Sequence, residues 1–221
     1  MKTVFIAVVV LLSMCSISFA TLTQVNLISQ SHEVKGYVDN TPDTPATYDI
    51  TDSVPISGDA STPYGIVHSQ TYDLKVSGYT SGGSSSYWAE AYETYVFKPY
   101  GTLLDFSFSQ SCDWTGAPWG SWFSYSLKDL DTDTVLTSFT GDDDFIWANR
   151  VDDQNYELYE GHSQFTVFTD HRYELYLAIH ADAMDGTGVD LSADIVPEPA
   201  TVLMLVLGSA LMRTRKLSAA N

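Results

Sequence analysis

Asp129, Asp131 and Asp133 stand at alternate positions, the spacing with which the opening of a calcium loop offers carboxylate oxygens to a hard cation. The pattern stops short of an EF-hand, because Thr134 stands where the loop needs a turn-forming Gly and Thr140 where it needs a bidentate Glu. Further carboxylates gather at Asp142-Asp143-Asp144, at Asp152-Asp153 and at Asp182, Asp185 and Asp190. A looser calcium site between loops could draw on them, and a solvated acidic rim at hairpin ends accounts for the same residues. His162, His171 and His180 are evenly spaced, but the chain has no H-x-H pair and no HExxH, so isolated histidines are the expectation rather than a transition-metal centre. Trp114, Trp119 and Trp122 crowd one Gly/Pro-rich stretch, with Trp88 and Trp147 elsewhere. Exposed indoles make platforms for the apolar faces of sugars, so these three are the candidate carbohydrate contacts; the same residues could equally fill a core.

No nucleophile is evident. Cys112 lies in no recognisable signature and has no identifiable base beside it, and a lone cysteine of this kind is usually a small buried hydrophobe. There is no GxSxG elbow, phosphate loop or dinucleotide fingerprint. With so many acids present, any one carboxylate pair for glycoside cleavage would be an arbitrary choice. No catalytic residue is assigned, and a non-enzymatic protein is expected.

The elements that must position these side chains are strands. Leu104, Phe106 and Phe108 alternate with polar residues, as do Phe123, Tyr125 and Leu127, the odd positions of Tyr173–Ala181, and Val189, Leu191, Ala193 and Ile195. This period of two describes half-buried antiparallel strands. Tyr87–Phe97 is aromatic at both parities, which predicts a central strand covered on both sides. Turn residues separate these runs at 81–86, at Pro99-Tyr100-Gly101 and at 131–134. Four prolines in or beside 40–62 make that segment loop or weak edge strand. No convincing helical stretch appears. The fold class is all-β: a single antiparallel β-sandwich, jelly-roll-like, with no internal repeat.

Both ends of the chain read as targeting segments. Lys2, the apolar run Val4–Ser13 and small residues at Ser18 and Ala20 form a secretory signal to be cut after Ala20. Cys15 raises a lipoprotein alternative, although bulky Met14 precedes it where a small residue is wanted. At the other end, Val196-Pro197-Glu198-Pro199 is followed by the uncharged run Ala200–Met212 and then by Arg213, Arg215 and Lys216. Thirteen residues of helix span only ~20 Å of a ~30 Å hydrocarbon core, so a plain membrane anchor would be marginal. The basic patch predicts a cytoplasmic tail, with everything before Pro197 outside.

This triplet, short apolar helix and basic patch, in that order, resemble the PEP-CTERM sorting signal of exported bacterial proteins. The resemblance covers about the last two dozen residues, and the chain departs from it in the extra 217–221 after the basic patch. It implies recognition by an exosortase-type sorting protease, transient passage through the inner membrane, and display at the cell envelope, cell surface or extracellular matrix. The expected organisation is 1–20 signal peptide, 21–195 β-sandwich domain, 196–217 sorting signal with its hydrophobic helix, and 218–221 tail.

Between the two ends, six basic residues face 27 acidic ones, since Glu198 is the one carboxylate outside 21–196. A body this acidic repels nucleic acid and anionic membrane surfaces, and neither is expected as a partner. Only Cys112 survives signal cleavage, which leaves no intramolecular disulfide; packing must hold the domain, with calcium as the one cofactor to test and no other expected. The combined reading is a structural or adhesive, non-enzymatic surface protein with exopolysaccharide as a candidate partner. Its alternatives are a carbohydrate-binding module and a polysaccharide-active enzyme on a jelly-roll scaffold.

Overall fold

The structure is a computed structural model, and it describes residues 25–39, 43–63, 65–82, 87–114, 120–152, 155–182 and 187–196. The segments expected to be a signal peptide, 1–20, and a sorting signal, from Pro197 onward, lie outside them, as do the loop residues 83–86.

Among the described residues, twelve strands and one short helix follow one another as β1 (Val25–Val38), β2 (Ala46–Asp52), β3 (Ser57–Thr62), β4 (Gly65–Tyr72), β5 (Lys75–Gly82), β6 (Tyr87–Pro99), β7 (Leu103–Trp114), β8 (Trp122–Asp129), β9 (Thr134–Gly141), α1 (Asp143–Ala148), β10 (Asn155–Thr166), β11 (Tyr173–Asp182) and β12 (Thr187–Val196). They form two six-stranded antiparallel sheets, ordered β2-β1-β6-β11-β8-β9 and β10-β7-β12-β5-β4-β3, consistent with a β-sandwich. The alternation seen in the sequence is realised: Leu104, Phe106 and Phe108 of β7, Phe123 and Leu127 of β8 and the odd positions of β11 are buried in one interior. The proline-rich segment supplies β2 and β3, each an edge strand of its sheet.

Two expectations need correcting. A helix does form: Asp142 caps it by accepting from the Phe145 amide at 3.0 Å, with Asp143 and Asp144 in its first turn. This one-turn element escapes a periodicity search, and the acidic run read as a loop rim is its N-terminal signal. Phe145 seals the end of the interior against Phe139 at 5.0 Å and Tyr156 at 5.8 Å between ring centroids. Strand β6, in turn, is central in its sheet but is not covered on both sides. Its odd positions are buried, and Trp88, Glu90 and Tyr92 are half-exposed on the outer face.

Two backbone details hold the frame. At the β4–β5 turn the buried Leu74 has φ 60°, a costly left-handed conformation for a branched residue. Its amide donates to the Tyr95 hydroxyl at 2.9 Å and its carbonyl accepts from Ala193 at 2.9 Å. The Tyr95 hydroxyl donates onward to the Tyr72 carbonyl at 3.1 Å, so one buried tyrosine fastens the turn from both sides. At Gly78 of β5 the two sheets approach so closely that an added Cβ would lie 2.6 Å from Ile179 Cδ1 of β11.

Candidate functional site

Because β6, β8 and β11 bury their odd positions, their even positions face outward together, joined by Glu33, Lys35 and Tyr37 of β1. Strand register lays these side chains out in rows. Trp122, His180, Glu90, Lys35 and Asp49 face one another across five strands. The adjacent row holds Asp182, Trp88 and Tyr37, and the row on the other side holds Ser124, Ala178, Tyr92 and Glu33. A clamp at one end holds the register: the Ser121 hydroxyl donates to the Asp182 carbonyl at 2.9 Å and accepts from the Asp182 amide at 3.1 Å.

The rings form a continuous aromatic array. Tyr37 and Trp88 lie 6.2 Å apart and 12° from parallel, Trp88 and His180 6.0 Å and 24°, and His180 and Trp122 5.8 Å and 2°. Tyr92 extends the array from Trp122 at 6.4 Å to Tyr176 at 6.5 Å, and the Lys35 ammonium sits 5.7 Å from the Tyr92 ring. Ala178, although it points outward, is fully buried; a small residue there lets the surrounding larger side chains cover it.

The charges on this face are ordered. His180 Nδ1 lies 2.9 Å from Glu90 Oε1, and its Nε2 lies 3.9 Å from Asp182 Oδ2. Burial pulls the imidazole pKa down, but the Asp182 and Glu90 carboxylates outweigh it and raise the value to about 9. Burial pushes Glu90 up, yet hydrogen bonds from His180 and Tyr92 hold it below the usual carboxylate range. His180 is therefore an imidazolium at neutral pH, lying between two indoles with an acceptor toward each ring nitrogen. Lys35 is bonded to Glu33 at 2.7 Å, which raises its pKa.

Of the three candidate tryptophans, Trp122 belongs to this array. Trp114 ends β7 in the other sheet, opposite Thr187, and Trp119 lies outside the described residues. The rings beside Trp122 are instead His180 and Tyr92, with Trp88 on the far side of His180, a grouping that the sequence alone does not display. Part of the signal was available: Trp88, Glu90 and Tyr92 occupy the even positions of a strand whose odd positions already form a core.

Asp129, Asp131 and Asp133 converge near the β8–β9 turn, but each is already engaged within the chain. Asp129 accepts from the Asp131 and Thr132 amides and pairs with His171 at 2.8 Å, Asp131 pairs with Arg172 at 2.9 Å, and Asp133 pairs with Lys128. Hydrogen bonds from Arg172 hold Asp131 at about 2. Among the described residues no group of three or more His, Cys, Asp or Glu is arranged to hold a metal ion. Asp152 bonds Asn155, Asp190 lies 3.6 Å from Lys75, and Asp153 and Asp185 fall outside the described residues. Cys112 is buried and its thiol is pushed up to about 12, mainly by that burial, so it is no nucleophile at neutral pH.

Of the targeting residues, Val196 is the last residue of β12, opposite Asp105. Ala20, Pro197, Glu198, Pro199, Arg213, Arg215 and Lys216 lie outside the described residues, as does the side chain of His162. Among the described residues no helix is long and apolar enough to cross a membrane.

No protein-family model matches the chain, and no curated protein matches it. Among solved structures it is similar to the enzymatically active domain of bacteriophage CBA120 tailspike protein 4, at 11% identity and a TM-score of 0.30 over 65% of this chain. The chain spans 20% of that domain's length. It is also similar to a carbohydrate-binding module of the β-sandwich superfamily, at 12% identity and a TM-score of 0.30, covering 78% of this chain and 75% of that one.

Proposed function

We propose that the protein is an exported, non-enzymatic surface or extracellular-matrix component that binds carbohydrate through the outer face of β1, β6, β11 and β8. The observation that carries this reading is the array of near-parallel rings from Tyr37 through Trp88 and His180 to Trp122. Its rings lie on an outer strand face, half-exposed, where core packing does not explain them. Binding polar sugars needs apolar area beside oriented acceptors and donors, and Glu33, Lys35, Glu90 and Asp182 provide these around the rings. The repeated crossings of the chain between sheets, at β2–β3, β5–β6, β6–β7, β7–β8, β9–β10, β10–β11 and β11–β12, support the jelly-roll-like description of the scaffold.

Titration calorimetry of the full chain with soluble oligosaccharides tests the face. Binding is expected, with Trp122→Ala and Trp88→Ala each weakening it about tenfold, the scale of one lost aromatic platform. Undiminished binding in both variants would move the site elsewhere. Release of reducing ends would replace the binding reading with a hydrolase.

In the same proposal, an exosortase-type protease sorts the protein through its C-terminal segment. Replacing Pro197-Glu198-Pro199 with three alanines should leave export intact and block tail removal. Intact mass of the C-terminal end decides this: identical, uncleaved tails in wild type and variant would leave a plain anchor.

A further inference from the structure

Two cations, Lys35 and His180, serve four carboxylates, Glu33, Asp49, Glu90 and Asp182, around the ring array. Glu90 is committed to His180 and Glu33 to Lys35, while Asp49 is exposed and the Asp182 side chain is 44% exposed. Even with His180 protonated the face keeps two negative charges in excess. Aromatic faces add to the same sign, since their quadrupoles attract cations and repel anions. The rest of the molecule adds to it again, with 28 acidic residues against ten basic ones.

We propose that the ligand of this face is a polysaccharide of amino sugars carrying protonated amines, rather than a neutral or uronic-acid polymer. The proposal rests on the carbohydrate reading above and adds to it the charge of the sugar. Sugar rings would lie along the indoles while ammonium groups reach Asp182, beside Trp88 and His180, and Asp49, beyond Lys35 on the edge strand. A uronate would bring its carboxylate into a field of the same sign and onto the negative faces of the rings.

The test compares three soluble oligomers of equal length on the full chain: β-1,4-linked glucosamine, its fully N-acetylated counterpart, and galacturonate. At low salt the glucosamine oligomer is expected to bind about tenfold more tightly than the acetylated one, with the ratio collapsing in molar salt, where the screening length falls to ~3 Å. Galacturonate is expected to bind least. Asp49→Asn together with Asp182→Asn should narrow the glucosamine ratio, with an unchanged thermal melt showing that the fold is intact. Equal affinity for the charged and acetylated oligomers, or a ratio insensitive to salt or to the double variant, overturns this proposal and leaves the carbohydrate reading standing. Tighter binding of galacturonate overturns it in the same way. Failure of every oligosaccharide to bind overturns both.

Discussion

Strand β6 carries two glutamates three positions apart, and each faces a histidine directly across the sheet: Glu90 opposite His180 on the outer side, Glu93 opposite His32 on the inner side. The residue types are the same and the environments are opposite. Outside, a 2.9 Å contact and a second carboxylate stabilise the charged forms, so His180 is raised and Glu90 lowered. Inside, both side chains are fully buried, their 3.3 Å contact is not aligned as a hydrogen bond, and burial pushes Glu93 up to about 7. The pair in partial contact with water is an ion pair on the outer face. In the interior pair, burial without an aligned hydrogen bond disfavours the charged Glu93 carboxylate.

The largest effect should come from leaving one inner partner alone. His32→Ala is expected to destabilise the fold by about 2–4 kcal/mol in urea unfolding, because it leaves a cavity the size of an imidazole beside the buried Glu93. A matched apolar pair at 32 and 93 should restore or exceed wild-type stability. If the single variant costs no more than a surface substitution, the inner pair does not carry the penalty assigned to it.

Next comes pH. Glu93 is raised from 4.5 to about 7, so the unfolded chain releases this proton first as pH rises. Its contribution is intact below about 4.5 and is lost by about 7, a fall on the order of 2–3 kcal/mol. Denaturant midpoints across that window should decline in wild type and flatten in Glu93→Gln. A wild-type curve that rises between these limits would contradict the assignment.

His180 extends the same trend upward. Raised from 6.5 to about 9, it contributes stability that is complete below 6.5 and lost as pH passes 9. Its partial contact with solvent limits the amount to about 1–2 kcal/mol. His180→Gln should remove this upper limb and leave the lower one, so the two variants separate the faces of a single strand.

The smallest effect belongs to a third His–carboxylate pair, His171 with Asp129. Since Asp129, Asp131 and Asp133 are all engaged by internal cations, millimolar calcium is expected to leave the melting temperature unchanged. A clear rise with calcium and not with magnesium would show that these carboxylates exchange partners for the metal.

The strand framework was legible because burial of one face enforces a period of two, which the runs at 104–108, 123–127, 173–181 and 189–195 display directly. The array was only partly legible. Trp122 drew notice through a local cluster of indoles, yet its ring neighbours Tyr92 and His180 come from β6 and β11, 30 and 58 positions away in sequence. Register between distant strands decides such pairings, and no single strand encodes it. The helix was hidden for a different reason: one turn is too short to establish a period, and its aspartates also suit a loop. His32 and Glu93 went unremarked because a polar residue at a core parity looks like an interruption until its partner is placed opposite.

The glycine at position 78 marks a close approach of the two sheets, and it lies behind the face that carries the rings. A side chain there would press on Ile179 Cδ1 at 2.6 Å and on the Ala89 backbone oxygen at 3.4 Å, with Ala181 Cβ at 3.5 Å. Ile179 and Ala181 are the two neighbours of His180 along β11, and Ala89 lies between Trp88 and Glu90. The far sheet thus packs directly against two strands of the ring array at this point. The backing of β11 and β6 behind the rings therefore depends on a residue with no side chain, on the sheet that does not carry them.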